Sequence, residues 1–99
     1  MTTEEEEDIR GMIVSRLLTA EQSCNSHHIT CIKNQVRGLL AALTGDNPTN
    51  SDDIVDILQQ AGIPFVDHGK RQFDFDAEWM KAHGFTADED GDYEPIESW

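Results

Sequence analysis

Apolar side chains recur at helical spacing twice in the first half of the chain, and then give way to a short alternating pattern. Ile9, Met12, Ile13 and Leu17, with Arg16 on the same stripe, follow the acidic run Glu4-Glu5-Glu6-Glu7-Asp8. Acidic side chains suit the positive end of a helix dipole, so the pattern predicts a first helix over residues 4–20 and a connection over 21–25. Ile29, Ile32, Val36, Leu39, Leu40 and Leu43 form the clearest helical stripe in the chain, with Ser26 placed to cap its start and Gly45 to end it. Residues 46–50, Asp-Asn-Pro-Thr-Asn, have turn chemistry throughout. Ser51 is expected to cap a short third helix that ends before Gly62, with Ile54, Ile57 and Leu58 inward and Asp52 and Asp53 in its first turn.

Beyond Gly62 the period changes. Residues 63–66 and 72–75 read as two strands of a hairpin joined through 67–71, with Phe73 and Phe75 on one face. Asp76 is suited to cap a fourth helix over 77–83, with Trp79 and Met80 available for the core and Gly84 as its stop. Residues 86–99 hold six acids, one Pro and one Gly, a composition expected to be largely disordered when free. The expected fold is α+β and mostly helical, three to four helices with one β-hairpin in a winged-helix-like order. It forms a single small domain over 1–85, followed by an acidic disordered C-terminal tail over 86–99.

The segments Gly62-Ile63-Pro64-Phe65, Gly69-Lys70-Arg71 and Phe73-Asp74-Phe75-Asp76, with a helix after them, resemble the wing region of small excisionase-like winged-helix proteins of phages and mobile elements. In that family the helix before the wing and the wing itself touch DNA. The resemblance therefore implies a DNA-binding regulator or recombination accessory factor, with Lys70 and Arg71 in the wing and Lys33 and Arg37 as further phosphate contacts. The third helix, however, presents Asp52, Asp53 and Asp56 and no base. Carboxylates there repel the phosphate backbone where counterion release normally supplies affinity, so direct nucleic-acid binding is the alternative rather than the leading expectation.

Charge sharpens this choice. The net charge of −13 divides into −5 for residues 1–8, −2 for 9–81 and −6 for 82–99. Such a chain repels nucleic acid and anionic lipid and favours basic partners. No apolar run approaches the roughly twenty residues that cross a bilayer, and the start Met-Thr-Thr-Glu has neither a basic nor an apolar export region. A soluble, cytoplasmic protein with no membrane partner is expected. In size and charge the chain also resembles acidic phage-encoded inhibitors of the DNA-mimic and anti-CRISPR type, which implies a protein target.

Candidate chemistry is sparse. Cys24, His27, His28 and Cys31 offer the nitrogen and sulfur donors that zinc prefers, and His28 and Cys31 lie three apart on one helix face. Four ligands from eight consecutive residues would strain a tetrahedral site. The preferred reading leaves Cys31 half-buried beside the core stripe and the histidines exposed, with reduced thiols, no metal and no cofactor. Neither cysteine sits in a nucleophile motif, Asp74 and Asp76 fit an exposed strand face better than acid–base chemistry, and no phosphate loop is present. A non-enzymatic protein-binding module is therefore expected, an inhibitor or adaptor that occupies a basic or nucleic-acid-binding surface. Its expected contacts are Asp52, Asp53 and Asp56, Asp74 and Asp76, and the tail acids Asp88, Glu89, Asp90 and Asp92. Tyr93, Ile96 and Trp99, spaced three apart among those acids, either anchor a partner or fold back on the chain's own core. The first helix carries a similar choice: its stripe completes the core or, with Met12 and Leu18 left outside, makes a homodimer surface.

Overall fold

The computed structural model describes residues 2–23, 25–45, 54–70 and 72–96. Helices α1 (Thr3–Gln22), α2 (Ser26–Thr44) and α3 (Ile54–Ala61) precede a hairpin of β1 (Phe65–Gly69) and β2 (Gln72–Phe75), and a one-to-two-turn helix α4 (Ala77–Ala82) follows. The fold is α+β and mostly helical, as the periodicity predicts.

α1 begins one residue before the acidic run because Thr2 caps it, its hydroxyl accepting from the Glu5 N–H at 3.2 Å while Glu4, Glu5 and Glu6 occupy the first turn. Its buried face is wider than one stripe: Gly11, Ile13, Val14, Ser15, Leu17 and Leu18 are all buried. Leu17 lines a small apolar groove with Ile29, Ile32, Ile54 and Ile57 of α2 and α3, whereas Leu18 faces Phe73, Phe75 and Tyr93. α1 thus separates two packing layers. Leu18, expected outside the core when the first helix is read as a dimer surface, is 5% exposed because the hairpin and the segment after α4 cover it.

The cap of α2 falls one residue earlier than expected. Asn25, not Ser26, accepts the free amides of the first turn, from His27 N at 3.0 Å and His28 N at 3.3 Å, through its Oδ1. At the other end Gly45 is left-handed, φ 72°, and returns its N–H to Ala41 O at 2.9 Å, the role its position predicts. Ile32, Val36 and Leu40 are buried and Leu39 and Leu43 pack beside them. The expected third-helix cap, Ser51, lies outside the described residues; the described part of α3 buries Ile57, Leu58 and Ala61.

β1 starts at Phe65 rather than Ile63. Pro64 has no N–H to give to a ladder, and Ile63 is instead buried while its amide closes α3 by donating to Leu58 O at 3.0 Å. The pairing extends further toward the turn than expected, with Phe65 opposite Phe75, Asp67 opposite Phe73 and Gly69 opposite Gln72, and a bulge between Asp67 and Gly69. Phe65, Phe73 and Phe75 share the inner face and meet edge to face, at 6.1 Å and 5.2 Å between centroids. Asp76 caps α4 as predicted, accepting from Trp79 N at 2.9 Å, and Met80 and Phe85 complete the core.

Residues 86–96 depart from the expectation of an unstructured tail. They run back over α1 and the hairpin as a strap. Ala87 bridges to Tyr93, the Tyr93 ring meets Phe75 edge to face at 6.2 Å, and Ile96 packs against the core. Ser15 fastens the strap, its hydroxyl accepting from Ile96 N at 2.9 Å and donating to Ile96 O at 3.1 Å. Composition pointed to disorder because acids dominate, but the two apolar residues are enough to cover Leu18 and Phe75, and their alternation with acids lets the acids stay in water.

Candidate functional site

The acidic residues of the strap are placed by one of their own number. Asp88 Oδ1 accepts from Asp90 N at 2.9 Å and Asp92 N at 3.0 Å, and Asp88 N donates to Asp92 O at 2.9 Å, so residues 88–92 close into a tight loop. Asp88, Glu89, Asp90 and Asp92 are all exposed, while Tyr93 and Ile96 are turned inward. Of the two alternatives open for these apolar residues, the fold-back one is what the structure shows. Trp99 lies outside the described residues, as do Asp52 and Asp53.

Asp92 borders a groove of about 570 Å³, lined by Leu18, Glu21 and Gln22 of α1, by Phe73, Asp74 and Phe75 of β2, and by Gly91, Asp92 and Tyr93 of the strap. Three aromatic residues and the acidic residues Glu21 and Asp92 therefore meet here from three separate stretches of chain, with the β2 backbone at Asp74 between two of the rings. The Asp74 side chain, between Phe73 and Phe75 on the strand, points to the other face of the hairpin, where its Oδ2 is 2.6 Å from His68 Nε2. Among the described residues no base pairs with Glu21 or Asp92. The Glu21 carboxyl is pushed above its ordinary value, first by burial and then by the Asp92 charge, even though the residue as a whole remains exposed. Glu21 was missed as a candidate because residues 21–25 read as a connection; α1 in fact carries it into its last turn.

The remaining candidates are scattered. Asp56 is exposed on α3 and lies away from this groove. Asp76 is half-buried and engaged as the α4 cap. Lys70 is exposed at the hairpin turn with φ 51°, Arg71 lies outside the described residues, and Lys33 and Arg37 of α2 are half-buried.

A second polar cluster knits the other end of the domain together. Glu7 accepts from Arg10 Nη1 at 2.6 Å and pairs with His83 Nε2 at 2.8 Å, while His83 Nδ1 is 2.7 Å from Trp79 O. Arg10 Nε donates to Ala61 O at 2.7 Å, placing a cation on the negative end of α3, and the guanidinium lies over Gly62. The His83 ring stacks on Trp79 at 3.8 Å. Burial pushes the Glu7 carboxyl up, but the hydrogen bonds from His83 and Arg10 and their charges outweigh it, and the net direction is below its ordinary value. These hydrogen bonds tie α1 to the end of α3 and to α4, so the cluster reads as structural.

The cysteine–histidine segment does not converge either. Cys31, expected half-buried, is exposed; its Sγ is 3.8 Å from His27 Nε2, and the His28 Nδ1 turns instead to Ser23 Oγ at 3.3 Å. Cys24 lies outside the described residues. Among the described residues no group of three His, Cys, Asp or Glu is placed to hold a metal ion, and no helix is long and apolar enough to cross a membrane.

No protein-family model, no curated protein and no solved structure matches the chain.

Proposed function

We propose that this is a small non-enzymatic protein-binding module, an inhibitor or adaptor that works in the cytoplasm by occupying a basic surface on a partner protein, in particular one that otherwise meets nucleic acid. The observation that carries this reading is the strap. Its acids stand exposed on a loop that the chain has already ordered, while its apolar residues are used up inside, so the charged surface is presented with little ordering entropy left to lose on binding. Opposite charge on the partner would steer encounter and set orientation, and the strength of the complex would fall as salt screens the field. The acidic cluster at the start of α1 adds to the same long-range field.

The test is a purified basic partner recovered by affinity capture at low salt, titrated with this chain in the presence and absence of duplex DNA. The expected result is salt-sensitive binding in which the chain and the DNA displace one another. The winged-helix resemblance supports the opposite assignment, and saturable, sequence-dependent binding of duplex DNA by the chain itself would refute the proposal in favour of a DNA-binding regulator.

A further inference from the structure

At the groove between α1, β2 and the strap, acidic residues border a surface of aromatic rings. Phe73 and Phe75 meet edge to face at 5.2 Å, Phe75 and Tyr93 at 6.2 Å, and Leu18 closes the floor. Glu21 and Asp92 border this apolar surface, one from α1 and one from the strap. A concavity of about 570 Å³ falls in the range of sites that take a ligand group. An apolar wall with carboxylates above it suits a side chain that is itself apolar along its stem and cationic at its tip.

We infer that this groove receives an arginine side chain presented by the partner protein, its guanidinium held between the carboxylates of Glu21 and Asp92 and its methylene stem laid against Phe73, Phe75 and Tyr93. Arginine fits better than lysine on three counts. Its planar head packs on aromatic surface, its forked donors can serve two carboxylates at once, and it gives up its hydration more readily than an ammonium group. Glu21 and Asp92 face one another without a base among the described residues, and Asp92 adds to burial in pushing the Glu21 carboxyl up, so an entering cation relieves a repulsion that the empty groove contains. Because Asp92 and Tyr93 belong to the strap, a guanidinium bound here also bridges the strap to α1. The site exists only while the strap is docked.

This inference rests on the protein-binding reading and narrows it to one kind of contact. The probe is a capped tripeptide, acetyl-Gly-Arg-Gly-amide, followed by amide and aromatic chemical shifts, beside the same peptide with lysine or with the neutral isostere citrulline. The arginine peptide is expected to give saturating shifts at Glu21, Asp74, Asp92 and Tyr93, with the lysine peptide weaker and citrulline silent. The double variant E21Q/D92N keeps the shape of the groove and should weaken the arginine peptide roughly fivefold to tenfold. The double variant E4Q/E5Q removes the same charge from the exposed first turn of α1 and should leave it unchanged. A melting temperature for E21Q/D92N at or above that of the parent shows that the fold is kept, since that variant removes two like charges. Absence of saturating shifts at the groove, equal response to citrulline or lysine, or equal weakening by E4Q/E5Q overturns the inference. If E21Q/D92N still binds the purified partner as the parent does, the arginine contact is overturned while the protein-binding reading stands.

Discussion

Ser15 is the residue on which the strap depends most directly, and Ser15→Ala is the perturbation that tests it. The side chain is 4% exposed, and its hydroxyl both accepts from Ile96 N at 2.9 Å and donates to Ile96 O at 3.1 Å. Each hydrogen bond contributes about 1 kcal/mol net, and a dry orphaned partner would cost about 1–3 kcal/mol. Ile96 is only half-buried, so water reaches its backbone once the strap lifts, and the loss sits toward the lower end, about 1–2 kcal/mol. Alanine in a helix returns roughly 0.5 kcal/mol of propensity, but to α1 rather than to the strap. The two effects therefore separate. Urea denaturation should move by only about 0.5–1.5 kcal/mol, because the gain in α1 partly offsets the loss. Native-state amide exchange at Ile96, Glu94 and Asp88 should accelerate about tenfold, while Ile32 and Leu40 of α2 hold their protection. Unchanged exchange at Ile96, or acceleration spread evenly through α2, would show that Ser15 is not what fastens the strap.

Further predictions follow from the same geometry. Asn25→Ala should cost about 1 kcal/mol in urea denaturation while Ser26→Ala costs a few tenths, since only Asn25 accepts the first-turn amides of α2; the reverse order would relocate the cap. Leu58 is fully buried in α3, and Leu58→Ala should cost about 2–5 kcal/mol, a large share of the stability of so small a domain and readable as a fall in Tm. Glu7 is held below the ordinary carboxyl value of 4.5, so it contributes stability that is present above pH 4.5 and lost as pH falls through its folded value. The Tm gap between the parent and Glu7→Gln should therefore close on acidification, by a modest amount because the carboxylate is partly in water. Glu21 has the opposite sign: its folded value lies above 4.5, its favourable contribution is complete below that pH and is lost as pH rises. Glu21→Gln should raise Tm slightly at pH 7 and not at all below pH 4.5, and a fall in Tm at pH 7 would contradict the like-charge contact with Asp92.

Much of the architecture is local and so was legible in the chain. The stripe from Ile32 to Leu40 repeats at the helical period and is buried whatever it packs against. Gly45 supplies the left-handed turn that ends α2, Asp76 supplies an oxygen where α4 needs one, and Phe73 and Phe75 alternate as a strand must. Where two local solutions compete, neighbouring structure decides. Asn25 and Ser26 are both good caps, and in the folded chain it is Asn25 that accepts the first-turn amides; Ile63 looks like a strand residue, but its amide is claimed by the end of α3 and Pro64 cannot join a ladder.

The candidate site was half legible, since Asp92 belongs to an acidic surface that composition alone announces, whereas its meeting with Glu21 beside three aromatic rings does not follow from it. Sequence by itself determined the helices, the hairpin and the concentration of charge toward the ends, because these depend on neighbours a few positions apart. Tertiary structure alone decided that Tyr93 and Ile96 turn inward and that Ser15 holds Ile96 across a separation of 81 residues. A contact of that span depends on whether two distant surfaces are complementary in shape and hydrogen bonding, and no periodicity along the chain encodes such a match.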